Sequence, residues 1–298
     1  MKYIFIVNPT SGKGKSLRFV PVIENYFKNS DKEYEIIYTE YPKHATEIAK
    51  RYTAEDNVML YAVGGDGTTK EILDGLDLSV RLGIIPAGTG NDFLKSIYTD
   101  KKTDEEIVKA SIEGEDMDLD FGLFNGRSRF INISSFGLDA HINVYANNVA
   151  KKKKTIVPDE LIYFYCIFKV GLKPERYHFK MTVDGQYFED DTVLVAISNG
   201  KFYGGMFNAF PDADLTDGIF DICYFRPVNL VRLISLIMKY AKGTYQNEKE
   251  CTVLKGKEIH IEFDRELWVQ IDGENKPVKE ATIEMNKGKL KFRAPKFD

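Results

Sequence analysis

An acid set among glycines is the part of this chain with the most chemical content. Val63-Gly64-Gly65-Asp66-Gly67-Thr68-Thr69 follows the apolar run 58–63 and precedes Lys70-Glu71-Ile72-Leu73. A buried strand that breaks on glycines into a helix aims backbone N–H groups and the positive end of the helix dipole at one point, an arrangement suited to phosphate. Glycine is needed there because a Cβ would block close approach or forbid positive φ. An acid among phosphates repels them unless a cation or a proton transfer is involved. Asp66 therefore indicates a nucleotide enzyme using Mg²⁺ rather than a simple phosphate binder.

Two more loops carry similar chemistry. In Asn8-Pro9-Thr10-Ser11-Gly12-Lys13-Gly14-Lys15-Ser16 the Walker pattern would need glycine where Pro9 stands. Proline offers no N–H and fixes φ, so this is a different phosphate or ribose cradle or, taken alone, a glycine-rich turn. Pro86-Ala87-Gly88-Thr89-Gly90-Asn91-Asp92-Phe93 combines tight backbone with three polar side chains at its mouth. Alone it also reads as a helix start capped by Asn91 or Asp92. Further along, Asp272-Gly273-Glu274 places two carboxylates around a hairpin-type turn. The same Asp-Gly pair at Asp184-Gly185 carries no assigned function.

These loops need elements to hold them. Strand runs at 3–7, 34–38, 58–63 and 82–85 alternate with helical stretches at 16–27, 44–51 and 69–73. Short apolar strands separated by helices predict a parallel sheet covered on both faces, whose ligands sit beyond the carboxyl ends of the strands. Thr103-Asp104-Glu105-Glu106 has the form of a capping box opening a helix through Ile112. From about Met117 the pattern becomes alternating, with runs at 130–134, 177–183, 192–197, 219–225, 258–263, 267–271 and 281–285 and hairpin dipeptides such as Asn125-Gly126. Helical insertions are expected near 160–172 and 230–242. The expected fold class is an α/β N-terminal domain with a parallel sheet flanked by helices, 1–120, and a mostly antiparallel β-sandwich domain, 121–286. A last run at 289–293 is placed to complete the first sheet from the C-terminal segment 287–298.

With 298 residues, 43% hydrophobic and 29% charged, the chain has room for two such cores. Lys and Arg number 41 against 45 Asp and Glu, a net charge of −4 that calls for no nucleic acid. Cys166, Cys223 and Cys251 lie far apart beside apolar residues, the pattern of reduced core thiols. His44, His141, His178 and His260 form no ligand pair. The N-terminal apolar stretch is too short for a signal peptide, and no run approaches the roughly 20 apolar residues of a membrane span. A cytoplasmic protein is expected.

The three loops together, in order and spacing, resemble the diacylglycerol kinase catalytic-domain family, which includes bacterial soluble lipid kinases and is related to sphingosine kinases. The resemblance continues through Phe136-Gly137-Leu138-Asp139-Ala140, Asn199-Gly200-Lys201-Phe202-Tyr203-Gly204-Gly205, Pro211-Asp212-Ala213-Asp214-Leu215-Thr216-Asp217-Gly218-Ile219-Phe220-Asp221 and Ile271-Asp272-Gly273-Glu274. It implies a NAD-kinase/diacylglycerol-kinase-like fold and transfer of the γ-phosphoryl of ATP to a lipid hydroxyl. By the same resemblance, Asn8, Pro9, Thr10, Ser11, Gly12, Thr39, Gly64, Gly65, Asp66, Gly67, Thr68, Thr69, Lys70 and Thr89 would meet ATP. Glu274 would be the general base, Asp272 would stand beside it in a Mg²⁺-linked acidic network, and Asp66 would be rival base or catalytic support. Asp217, with carbonyls at Asp214 and Ile219, would form a structural Mg²⁺ site; an acidic turn without metal reads the same letters.

One position departs from the family pattern: Lys70 stands where asparagine is usual, to pair with a phosphate or to point to solvent. The lipid is poorly encoded. Lys151-Lys152-Lys153-Lys154, Ile156-Val157-Pro158 and Tyr163-Phe164-Tyr165 suit either contact with an anionic membrane or a solvated charge run beside a core helix. A lipid substrate requires a peripheral membrane encounter, and a homodimer is compatible with the pattern. Two other functions share parts of it: an NAD kinase, through Gly-Gly-Asp-Gly, and a nucleotide-binding regulator with weak catalysis, through Lys70.

Overall fold

A computed structural model describes residues 1–28, 30–98, 102–151, 165–166, 169–171, 174–204 and 207–297. The early apolar runs become four strands, β1 (Lys2–Val7), β2 (Tyr34–Tyr38), β3 (Val58–Gly64) and β4 (Arg81–Pro86). They pair in parallel in the order β4-β3-β1-β2. Helices α1 (Ser16–Phe27), α2 (His44–Ala49), α3 (Asp66–Gly75), α4 (Asp92–Lys95) and α5 (Asp104–Glu113) follow in chain order. Ile4, Ile6, Leu60 and Ala62 pack with Ile48 and Ile72 on one face. Phe5, Val7, Tyr61 and Val63 pack with Phe19 and Ile112 on the other. Strands buried on both faces need continuous rather than alternating apolar sequence, which is what they have. The Thr103 capping box forms, its hydroxyl accepting from the Glu106 N–H and the Glu106 carboxylate from the Thr103 N–H.

The second half contains β5 (Glu115–Phe124), β6 (Ser128–Phe130), β7 (Ile133–Gly137), α6 (Leu138–Lys151), β8 (Tyr177–Val183), β9 (Gln186–Thr192), β10 (Leu194–Ser198), β11 (Phe220–Phe225), α7 (Leu230–Ala241), β12 (Cys251–Gly256), β13 (Glu258–Ile271) and β14 (Glu274–Ala294). Its strands pair antiparallel, in the order β12-β11-β10-β7-β13-β14, with β8 and β9 branching from β13. Phe124, Phe136, Phe179, Val195 and Phe263 fill the sandwich core. Leu138, Ile142, Leu233 and Leu236 of α6 and α7 pack with Leu194, Ala196 and Cys223 in a second layer. The three cysteines are free and buried.

β14 belongs to both halves. Its first part pairs with β13 and its end pairs in parallel with β4, Phe292 opposite Leu82 and Arg293 opposite Gly83. The expected runs 258–263 and 267–271 are one strand with an irregularity between Glu262 and Leu267. The run 130–134, expected as one strand, is broken between β6 and β7. The N–H groups of Ile131, Asn132 and Ile133 are captured there by the Asp272 carboxylate instead of a neighbouring strand. Helix α6 was not anticipated. All of 152–164, much of the expected helix at 160–172, and Gly205 lie outside the described residues; the described residues 165–166 and 169–171 of that stretch are helical. Among the described residues no helix is long and apolar enough to cross a membrane.

Candidate active site

Because β1, β3 and β4 are neighbours, the three loops leaving their carboxyl ends lie side by side. Asn8 joins the first to the second: its amide donates to Thr68 Oγ1 at 3.0 Å, while its own Oδ1 accepts from Thr10 N and Oγ1 at 3.1 and 2.9 Å. Gly65 and Gly88 join the second to the third. A Cβ on Gly88 would stand 2.5 Å from the Gly65 Cα, so both glycines are required by backbone against backbone, not only by a ligand. Asn91 does not cap α4. It lies in the left-handed region at φ 50° and closes the loop on itself, accepting from Gly88 N and donating to Gly88 O, each at 3.0 Å. Thr39, just past β2, donates its N–H to Val7 O at 2.9 Å and so stands beside Asn8. Thr89 is exposed at the loop mouth.

Asp66 opens α3 with Gly65 as its N-cap. Burial pushes its carboxyl up to about 6, with the like charge of Asp92 adding to the rise; N–H groups of Asp92 and Phe93 and the Lys95 ammonium oppose it. Two neighbouring acids partly withdrawn from water form a donor set that a hard divalent cation would balance, so the residues fit Mg²⁺ on the phosphates of a nucleotide. Asp92, quoted in the loop but given no role by the sequence, belongs to this pair.

Across from the loops lies a cavity of about 140 Å³ at the junction of the two halves, lined by Asp66, Asp92, Asp139, Asn143, Gln270 and Asp272 among others. It is small beside the roughly 300–1,000 Å³ of a ligand pocket, too small for a whole nucleotide. Asp272 and Gly273 form the turn between β13 and β14, both at positive φ, 45° and 88°. The Asp272 carboxylate accepts N–H groups from Ile131 at 2.8 Å, Asn132 at 3.2 Å and Ile133 at 2.8 Å. Burial pushes it up to about 6; those N–H donors and Lys70 oppose the rise, and Asp66 adds to it. The sequence reading gave Asp272 a place beside Mg²⁺; three of a carboxylate's four acceptor positions are already taken by backbone. Glu274 follows the turn, its side chain half exposed.

Lys70 does not point to solvent. Its side chain is 0% exposed, its ammonium is paired with Asp74 and donates to Ser128 Oγ at 3.0 Å, and Glu274 Oε2 lies 3.9 Å away. The second-domain wall carries residues that sequence reasoning missed. Asp139 and Asn143, one turn apart on α6, line the cavity. Gln270 donates to Ser135 Oγ at 2.9 Å and accepts the Gly273 N–H at 2.9 Å, while Ser135 donates to Asp139. The Phe-Gly-Leu-Asp-Ala motif was the available signal for Asp139; Gln270 had none.

The proposed cation turn at Asp214–Ile219 sits apart from the cavity. Asp214 accepts from Thr216 N and Oγ1 at 2.9 and 2.7 Å, and Asp217 from Ile219 N at 2.9 Å. The Lys287 ammonium donates to the Asp217 carbonyl at 3.1 Å, and Asp120 holds the turn through Gly218 N and Gly288 N at 2.5 and 2.6 Å. That carbonyl is not one of the oxygens expected to hold a cation, which are the Asp217 carboxylate and the carbonyls of Asp214 and Ile219. Among the described residues no group of three or more His, Cys, Asp or Glu forms a metal cluster.

Comparison with known proteins places both halves of the chain. A family model for the diacylglycerol kinase catalytic domain matches residues 2–124, and one for the YegS C-terminal NAD kinase beta sandwich-like domain matches 132–293. The diacylglycerol kinase of Bacillus subtilis (strain 168) is 28% identical over 277 residues, 90% of this chain and 88% of that protein. A crystal structure of a diacylglycerol kinase from Bacillus anthracis (strain Sterne) superposes with a TM-score of 0.72 at 26% identity, covering 98% of this chain and 96% of the other. An NAD kinase from Archaeoglobus fulgidus, solved in complex with ATP, shares the fold at a TM-score of 0.53 and 16% identity, over 99% and 94% of the chains.

Proposed function

Since the chain belongs to the diacylglycerol kinase catalytic-domain family and is a lipid kinase, we propose that it transfers the γ-phosphoryl of ATP to the hydroxyl of diacylglycerol or a related lipid, giving phosphatidic acid. The observation that carries this reading is the convergence on one cavity of the Asp66–Asp92 acid pair and the Asp272-Gly273 turn, with Glu274 the next residue along the chain. ATP would lie along the carboxyl ends of the parallel strands, against Asn8–Gly12, Thr39, Gly64–Thr69 and Thr89. Asp66 and Asp92 would hold Mg²⁺, which when bound neutralises phosphate charge.

Phosphoryl transfer demands mostly positioning and charge stabilisation, plus a carboxylate to accept the hydroxyl proton. Glu274 suits that last task. It is half exposed, so it is open to an incoming alcohol, whereas Asp272 is committed to three backbone donors. Asp66, on the nucleotide side, supports the reaction. The lipid would be met at a bilayer surface, with the enzyme peripheral to it. The test is incubation with γ-labelled ATP, Mg²⁺ and separate acceptors: diacylglycerol in mixed micelles, other lipid alcohols, and NAD. Label in phosphatidic acid is the expected result. Label in NAD alone, or in no lipid with folded protein, would overturn the proposal.

A further inference from the structure

Lys70 is an unusual residue to bury, because withdrawing an ammonium from water is costly unless it is paired and hydrogen-bonded. Its partners come from separate elements: Asp74 from α3, Ser128 from β6 and Glu274 from β14. Asp74 is itself fixed, its other oxygen accepting the Arg129 N–H at 2.9 Å. The Arg129 guanidinium in turn donates to the carbonyls of Leu73 and Leu76 at 2.9 and 2.5 Å. Lys70, in the middle of α3, thus rests on a base fixed at the end of that helix. An ammonium has three N–H donors. Two are spent on Asp74 and Ser128, and the nearest remaining anion is Glu274. Lys276, on the same strand as Glu274, adds a second cation whose ammonium stands 4.3 Å over the Phe124 ring. Asp272 completes the charged neighbourhood.

We propose that Lys70 is a positioning residue for the base: it tethers the Glu274 carboxylate to the nucleotide-side helix and is not itself a nucleotide ligand. A neutral side chain at this place would have no charge with which to make that tether. The proposal rests on the kinase reading for Glu274 as base, but not for the tether. Its chemistry follows from the layout: α3 begins at Asp66 and Lys70 lies one turn on, so one helix fixes both the phosphate-side acid and the place of the proton acceptor.

The experiment compares wild type, K70M, E274Q and K70M/E274Q. Bound ATP is measured by calorimetry, and kcat and KM by transfer to diacylglycerol in micelles. K70M is expected to keep its ATP dissociation constant and KM for ATP within about twofold while kcat falls about ten- to a hundredfold, the scale of a misplaced catalytic group. The double variant should be no slower than E274Q alone, since residues acting as a unit lose their effect once. A merely structural lysine would instead give losses that multiply. That result, or an ATP affinity at least tenfold weaker with kcat retained, overturns the proposal. If K70M does not fold, K70M/D74N removes both buried charges and carries the same expectations. Wild type that labels no lipid sinks the substrate reading alone. The tether is then decided by amide exchange across the 271–276 turn, faster in K70M at intact ATP affinity if Lys70 holds it, and unchanged if it does not.

Discussion

Two hairpins in this chain have the same turn and different fates. Asp184-Gly185 joins β8 to β9, and Asp272-Gly273 joins β13 to β14, with nearly equal backbone: φ 48° and 83° in the first, 45° and 88° in the second. Both aspartates use their carboxylate in the same way. Asp184 accepts the N–H groups of Lys257 and Glu258, the latter at 2.8 Å, and Asp272 those of the 131–133 segment. The following residue is Gln186 in one and Glu274 in the other. The larger difference is location. β8 and β9 branch off the side of the sheet, whereas β13 and β14 are the seam where the antiparallel strands meet the parallel ones. A turn of one geometry is a piece of architecture at the sheet's margin and, in the function proposed above, part of a reaction site at its seam.

The strongest way to break the comparison is to make the second turn read like the first. Glu274→Gln yields Asp-Gly-Gln at both turns and removes the proposed proton acceptor while keeping size. Lipid phosphorylation should fall about 10²- to 10⁴-fold with ATP affinity retained. Gln186→Glu should change neither. Initial rates on diacylglycerol micelles decide it, and an E274Q enzyme within about threefold of wild type would hand the role of base to Asp66.

The seam also carries a pH response. Asp66 and Asp272 are raised to about 6 by burial. A carboxyl whose folded pKa exceeds its unfolded value stabilises the fold most below the unfolded pKa, and that contribution is lost as pH rises through about 6. The excess stability of wild type over Asp66→Asn should therefore be about 2 kcal/mol greater near pH 4.5 than near pH 7, for protein free of nucleotide and metal. Urea denaturation at the two pH values measures it; an excess that grows with pH contradicts the assignment.

The sequence made the nucleotide side legible and left the acceptor side mostly dark, and the reason is physical. Asn8, Gly65, Asp66 and Gly88 lie in loops at adjacent strand ends, so local motifs carry the site. The alternating runs likewise disclosed a two-part α/β and antiparallel fold. On the other wall, Asp139, Asn143 and Gln270 come from a helix and a strand over 130 residues of chain, brought together by pairing that no local pattern encodes. The broken strand at 130–134 has the same origin, since its N–H groups answer to an aspartate some 140 positions away. Lys70 is the clearest case: charge in the sequence pointed outward or toward phosphate, and only Asp74, Ser128 and the β14 turn make an inward ammonium tolerable.

The smallest expected effect tests whether the two aspartates do equal structural work. Asp→Asn at either turn keeps one acceptor oxygen and sets an NH₂ group against a backbone N–H. At Asp184 the site is exposed, and water can satisfy what the amide cannot. At Asp272 the donors of Ile131, Asn132 and Ile133 are enclosed between the two halves, so a lost bond leaves an N–H without a partner. Asp272→Asn should cost about 1–2 kcal/mol more than Asp184→Asn near pH 7. The margin should be less than the bonds alone would give, because removing Asp272 also relieves the burial that raises its pKa. Equal losses in the two variants would mean that water reaches the 131–133 amides, and that the seam is held by strand pairing rather than by the carboxylate.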